Sequence, residues 1–223
     1  MGPAMSANFR KYLLLLTLYI SQFLALGFII TAVPAILRDN GSEVEDIGWI
    51  FLFGLLWALK FLWAPLVDRY AWKRLGHYRG WLLLCQSLLV LSIVAAAFFD
   101  IDSQVGILSV FFFLISLFSA TQDIAADALS VTIIKPEERG FANAIQTGGG
   151  FVGSFIGGGV VLICYDSLGW QGSLFLLAGL TAFLRYNRQG RKANVGAGTA
   201  TATEPTREHK QYATQGPTTY LCT

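Results

Sequence analysis

Three ionisable side chains stand inside long apolar runs, where charge is costly: Lys60, Asp123 and Asp127. Lys60 comes eight residues before Asp68, and Asp127 eight before Lys135. At 1.5 Å per residue, each lies about 12 Å inside the end of its run. Equal depth and opposite sign make Lys60 and Asp127 an expected pair. Asp123 is one turn deeper, about 18 Å in, and its i, i+4 spacing puts it on the same helix face as Asp127. Gln122 adjoins it. Ionisable residues within a membrane span usually mark function. Two readings stand open. One is a polar cavity whose carboxylates bind a substrate or carry a proton. The other is a buried ion pair that holds helices together, with Lys60 within reach of the interface by snorkelling.

The elements that must position these groups follow from composition. Of 223 residues, 54% are hydrophobic and 13% charged, with a mean hydropathy of +0.55. A soluble domain carries roughly 25% charged residues, so lipid is the solvent that this chain suits. A spanning helix needs about 20 mostly apolar residues. Six runs qualify, the last of them short: Tyr12 to Leu37, Ile47 to Val67, Trp81 to Phe99, Val105 to Ile134, Phe141 to Cys164 and Leu168 to Leu184. Helix is the expected state because lipid cannot hydrogen-bond a bare backbone; the runs lack the alternation of barrel strands. The first run is too long for the apolar stretch of a signal peptide and is followed by further spans. The fold class is therefore all-α, with six transmembrane helices. The chain divides into a cytoplasmic N-terminus over 1–11, a six-helix domain over 12–184 and a tail over 185–223.

Loop charge sets the expected orientation. One side carries Arg10, Lys11, Arg69, Lys73, Arg74, Arg79, Lys135 and Arg139; the other carries Arg38 with Asp39, Glu43, Glu45, Asp46, Asp100, Asp102 and Asp166. The positive-inside rule places both termini in the cytoplasm. Gly149, Gly153 and Gly157 recur every four residues, a small-residue stripe that lets helix backbones approach closely. It reads as static packing or as a surface that slides during a conformational cycle. Trp49, Trp57, Trp63, Trp81 and Trp170 fall mostly near span ends, as an interfacial aromatic belt does.

Other chemistries lack residues. Cys85, Cys164 and Cys222 have no metal-like spacing, and there is no hydrolase elbow, phosphate loop or zinc motif. No catalytic residue, metal or cofactor is expected, and the chain is not read as an enzyme. The net charge of +2 names no partner; the bilayer is the expected partner and nucleic acid is not. After Leu184 the segment Arg185 to Thr223 loses apolar periodicity and cannot bury enough surface to fold. A short last helix followed by such a segment reads as an interrupted frame, with a natural disordered tail as the alternative.

The residues also carry a resemblance. Six helices with both ends inside, a basic loop after the second and acidic residues in the fourth resemble the N-terminal half of a major facilitator transporter. Leu59-Lys60-Phe61-Leu62-Trp63-Ala64-Pro65-Leu66-Val67-Asp68-Arg69-Tyr70 is similar to AmpG-type muropeptide permeases, as are Gln122-Asp123-Ile124-Ala125-Ala126-Asp127-Ala128 and Pro136-Glu137-Glu138-Arg139-Gly140. Val33-Pro34-Ala35-Ile36-Leu37-Arg38, Asn143-Ala144-Ile145-Gln146 and Tyr165-Asp166-Ser167-Leu168-Gly169-Trp170 look more like RhtX/FptX permeases, which import ferric siderophores. Asp68 and Arg69 match the core of the superfamily loop signature, which helps latch two halves; Ala64 stands where its glycine belongs.

The resemblance implies half of a proton-coupled permease in the bacterial inner membrane, importing a ferric siderophore, or alternatively a muropeptide. Lys60, Gln122, Asp123, Asp127 and Gln146 become the substrate and proton-pathway candidates, and Lys60 could instead face an anionic siderophore. Its superfamily builds the site between two six-helix halves, so the implied partner is a missing C-terminal half or a second copy. A non-transporting membrane remnant or assembly factor is the competing class.

Overall fold

The computed structural model describes the backbone of residues 3–41, 44–70 and 77–200, and side chains within residues 9–186. The described backbone is helical almost throughout, in the order α1 Pro3–Gly27, α2 Val33–Asp39, α3 Val44–Leu59, α4 Ala64–Arg69, α5 His77–Ala96, α6 Val105–Ile133, α7 Arg139–Ser154 and α8 Val161–Ala200. The chain forms two units, Met1–Arg188 and Gln189–Thr223. The first is the helical bundle; of the second, only helical backbone as far as Ala200 is described. The tail expected to lack structure is otherwise outside the described residues, as are Lys73 and Arg74 of the second loop.

Several of these helices are pieces of one pass. α1 and α2 join through a π-helical turn, Phe28–Ala32, to make one apolar length, Lys11–Asp39. Pro34 explains the widened turn, since it has no N–H to offer the carbonyl four residues back and its ring presses on that turn. α3 and α4 join through the 3-10 turn Lys60–Leu62. Pro65 at the start of α4 breaks the ladder for the same reason. α7 runs through a second π-helical turn, Phe155–Val160, into α8. α8 is interrupted at Gly169, whose φ of 63° and ψ of −172° leave the helical region. A left-handed φ costs glycine little because it has no Cβ.

That break yields the sixth pass. The expected second, fifth and sixth runs thus appear as Val44–Arg69 in pieces and as two lengths on either side of Gly169. The passes alternate in direction. Tyr19, Ser21 and Gln22 of α1 meet Asp127, Gln122 and Ser119 of α6 in reverse order, so these helices are antiparallel. Phe53 and Lys60 meet Phe113 and Asp123 in the same order, so α3 runs parallel to α6. Gly149, Gly153 and Gly157 lie along Leu16, Ile20 and Leu24, so α7 is parallel to α1. Gln86 of α5 and Phe98, just beyond its end, meet Thr181 and Phe175 of α8 in reverse order. Polar contacts tie the bundle at both ends: Lys11 Nζ of α1 lies 2.5 Å from Glu138 Oε2 before α7, and Asn40 Nδ2 donates to Asp102 Oδ1 at 2.6 Å.

The apolar core is uneven along the bundle. The largest cluster joins Phe28, Ile36, Leu37, Leu89, Ile93, Leu108, Phe112, Ile115 and Leu177 toward the Asn40–Asp102 end. Two smaller clusters, around Leu18 and Val67 and around Leu15 and Tyr19, lie toward the other. Large apolar side chains such as Phe51, Leu91, Phe151 and Phe155 stay exposed on the outer faces, as lipid-facing residues of a spanning bundle do.

Candidate functional site

Lys60 reaches α6 from the 3-10 turn that separates α3 from α4. Its ammonium contacts Asp123 Oδ2 directly and lies 3.6 Å from Asp127 Oδ2. The expected pair of Lys60 with Asp127 is therefore the longer of two contacts. One turn of helix separates the carboxylates, and a lysine stem is long enough to stand between them.

The two aspartates differ in their surroundings. The Asp123 side chain is 3% exposed, whereas that of Asp127 is 39% exposed. Asp127 Oδ1 accepts hydrogen bonds from the Tyr19 hydroxyl of α1 and from Gln146 Nε2 of α7, both at 3.1 Å. Its two oxygens thus serve different neighbours: Oδ1 is held by α1 and α7, and Oδ2 faces Lys60. Asp123 depends on Lys60 for its counter-charge.

Two tryptophans expected at the interface instead frame this site. The Lys60 ammonium sits 5.6 Å from the Trp57 ring, within cation–π range, and Trp57 packs on Phe23 at 5.0 Å. Trp63 Nε1 donates to Thr121 Oγ1 at 3.1 Å. Trp170 also leaves the expected belt and packs with Phe28 and Phe112 in the core. A buried indole N–H usually finds an acceptor; α6 supplies Thr121 to Trp63, whereas Nε1 of Trp57 and of Trp170 has no hydrogen-bond partner within the protein.

Lys60, Asp123, Asp127 and Gln146 are brought together. Gln122 is not among them: its Nε2 donates to Ser21 Oγ at 3.3 Å, toward α1, and the residue is buried. Asp68 and Arg69 lie on the exposed end of α4, where Asp68 accepts from the Tyr78 hydroxyl at 3.3 Å. Tyr19 and Thr121 are not singled out by the sequence, and Trp57 and Trp63 are marked there only as belt residues. Tyr19 had a signal, a phenol within an apolar run whose hydroxyl needs a partner.

The glycine stripe forms a separate seam. A Cβ at Gly153 would come 2.5 Å from the Ile20 carbonyl oxygen, and one at Gly157 would overlap the Leu24 carbonyl. Gly149 lies over Tyr19 and Leu16. This approach brings Gln146, one turn earlier on α7, to Asp127. Among the described residues no cluster of three or more potential metal ligands occurs.

Chemically, the site holds one ammonium against two carboxylates in an apolar bundle. With all three ionised, one negative charge is unbalanced, and a proton or a substrate cation would neutralise it. Among known proteins, the segment 15–202 matches the model of the Major Facilitator Superfamily. The anhydromuropeptide permease of Escherichia coli K12 is 36% identical over 168 residues, covering 75% of this chain and 34% of the permease. An uncharacterized protein of Haemophilus influenzae is 37% identical over 158 residues, covering 68% of this chain and 37% of its own length. The chain spans about a third of the length of these curated relatives. Its multi-pass helical bundle and the match over most of its length place it as a member of the Major Facilitator Superfamily.

Proposed function

We propose that this chain is the N-terminal six-helix half of a proton-coupled permease of the bacterial inner membrane that carries a muropeptide-type substrate. The observation that carries the reading is the excess of carboxylate over ammonium at Lys60, Asp123 and Asp127. Asp127, half exposed, meets the proton or substrate first. Asp123, sealed behind it, shares Lys60 with it. Protonation of either aspartate releases the ammonium toward the other, and that shift is what couples proton to cargo. A second six-helix unit supplies the opposite wall of the cavity. Asp68 and Arg69, exposed at one end of the bundle, serve the latch between units. Both termini face the cytoplasm.

The ferric siderophore expected from Val33 to Arg38 and Asn143 to Trp170 gives way here to muropeptide. The relatives that support a substrate bear the name anhydromuropeptide permease.

The test is a chimera in which residues 12–184 replace the matching segment of the E. coli permease, assayed for uptake of anhydromuropeptide into vesicles with an imposed proton gradient. Uptake that collapses with the gradient and is lost in Asp123→Asn and Asp127→Asn is the expected result. Undiminished uptake in both variants would remove the carboxylates from the coupling step.

A further inference from the structure

The face of α6 that bears the aspartates extends beyond them. Ser116, Ser119, Asp123, Asp127 and Ser130 recur at steps of three and four, so they share one side of the helix over about 21 Å. Toward Ile133 this stripe opens at Asp127. Toward Val105 it runs into the sealed seam between α6 and α1. Ser119 Oγ donates to the Gln22 carbonyl at 3.0 Å, and Gln122 Nε2 to Ser21 Oγ at 3.3 Å, which fixes α1 against α6 at this level.

Four polar atoms in this seam have no hydrogen-bond partner within the protein: Gln22 Nε2, Gln22 Oε1, Ser116 Oγ and Gln122 Oε1. Their residues are 0%, 1% and 1% exposed. A buried amide left with neither donor nor acceptor is strongly unfavourable in an apolar interior. The amide needs both kinds of partner, and the neighbouring hydroxyl can serve as either. Water meets that requirement, since a buried molecule typically makes about three hydrogen bonds to such groups. Ala25 of α1 and Ala120 of α6 are fully buried at neighbouring positions in the chain. Further along α6 the buried side chains are apolar, although Trp170 Nε1 and Ser173 Oγ of α8 are also buried without a hydrogen-bond partner within the protein. Leu108, Phe112 and Ile115 are fully buried, and the Trp170 ring lies 6.2 Å from Phe112 and 6.1 Å from Phe28.

We propose that the α1–α6 seam is an internal water-binding site, held by Gln22, Ser116 and Gln122, next to Asp123 and closed toward the Asn40–Asp102 end by the Phe28–Phe112–Trp170 cluster. It stands on the buried polar atoms and does not depend on what the protein transports. The polar interior thus reaches past the ion pair as far as the aromatic cluster.

Gln86 supplies an internal reference. It is equally buried, and its Nε2 donates to the Thr181 carbonyl at 3.3 Å. The experiment is water-edited solid-state NMR on the chain in lipid bilayers with glutamine side chains labelled with nitrogen-15. Gln22 and Gln122 amides are expected to receive water magnetisation at the short mixing times of half-exposed Gln146, while Gln86 lags. Transfer to Gln22 as slow as transfer to Gln86 would overturn the proposal. Gln22→Leu is expected to abolish the early transfer at Gln122 and leave Gln146 unchanged; an unaltered Gln122 signal would refute a shared site. Ser116→Ala gives the same reading on Gln22 should the leucine variant fail to fold.

Discussion

The bundle has two seams of opposite construction. Along α1 and α7, glycines bring backbone against backbone, and no charged group takes part between Gly149 and Gly158. Along the α3–α4 pass and α6, the contact is made by an ammonium, two carboxylates, two indoles and a threonine. In lipid the first seam gains from close van der Waals packing. The second gains from charge neutralisation that the solvent cannot provide. Volume governs one and charge the other. A chain built this way has one wall fixed by packing and one held by charge.

The largest effect is expected at the fixed wall. Gly157→Leu drives a side chain into the Leu24 backbone, beyond the overpacking that typically costs about 1–3 kcal/mol. Loss of the monodisperse peak in detergent chromatography is the expected outcome. A melting temperature equal to that of the parent would show that the seam is loose. At the charged wall, Lys60→Met leaves two carboxylates facing each other. Breaking a buried pair costs about 3–5 kcal/mol, and the exposure of Asp127 places this case near the lower figure. Adding Asp123→Asn to Lys60→Met is expected to recover part of the lost thermal stability, because the groups form one network. Strict additivity of the two losses would break the idea of a shared ammonium.

A smaller effect is expected where the two seams touch. Tyr19→Phe removes one hydrogen bond to Asp127, a loss of about 1 kcal/mol, read as a lower melting temperature with the α1–α7 packing intact. The smallest lies outside the bundle. The Ser103 hydroxyl and backbone N–H donate to Asp100, at 2.6 and 3.0 Å, and hold its carboxyl below the ordinary value of 3.8. A depressed folded value means stability that is present above 3.8 and lost as pH falls through the folded value. Asp100→Asn should therefore flatten the acid limb of a melting-temperature profile below that pH and leave neutral pH almost unchanged. An acid limb identical to that of the parent would assign it elsewhere.

The sequence made the passes legible because lipid demands long apolar helices, and the α6 face legible because i, i+4 spacing is set by helix geometry. Rotation of one helix about its axis against another is not written in spacing. Hence Lys60 was assigned by depth to Asp127, although its stem reaches Asp123 more closely, and Gln122 was grouped with Asp123 by adjacency although it turns toward α1. Tryptophans were read by position along a span; Trp57 and Trp63 instead follow Lys60 and Thr121, partners on the same or a distant segment. The glycine stripe announced a close contact but did not say that α1 would be the neighbour.

The break at Gly169 bears on how the protein enters the bilayer. The two passes on either side of Gly169 meet at a single left-handed glycine, and the only residue from Cys164 to Trp170 charged at neutral pH is Asp166. Inserted as one helical hairpin with the termini on the cytoplasmic side, the pair would carry a single carboxylate across the hydrocarbon, at about 2.5–3.5 kcal/mol on the scale of translocon insertion. Biogenesis of this end of the bundle thus turns on one residue's backbone freedom.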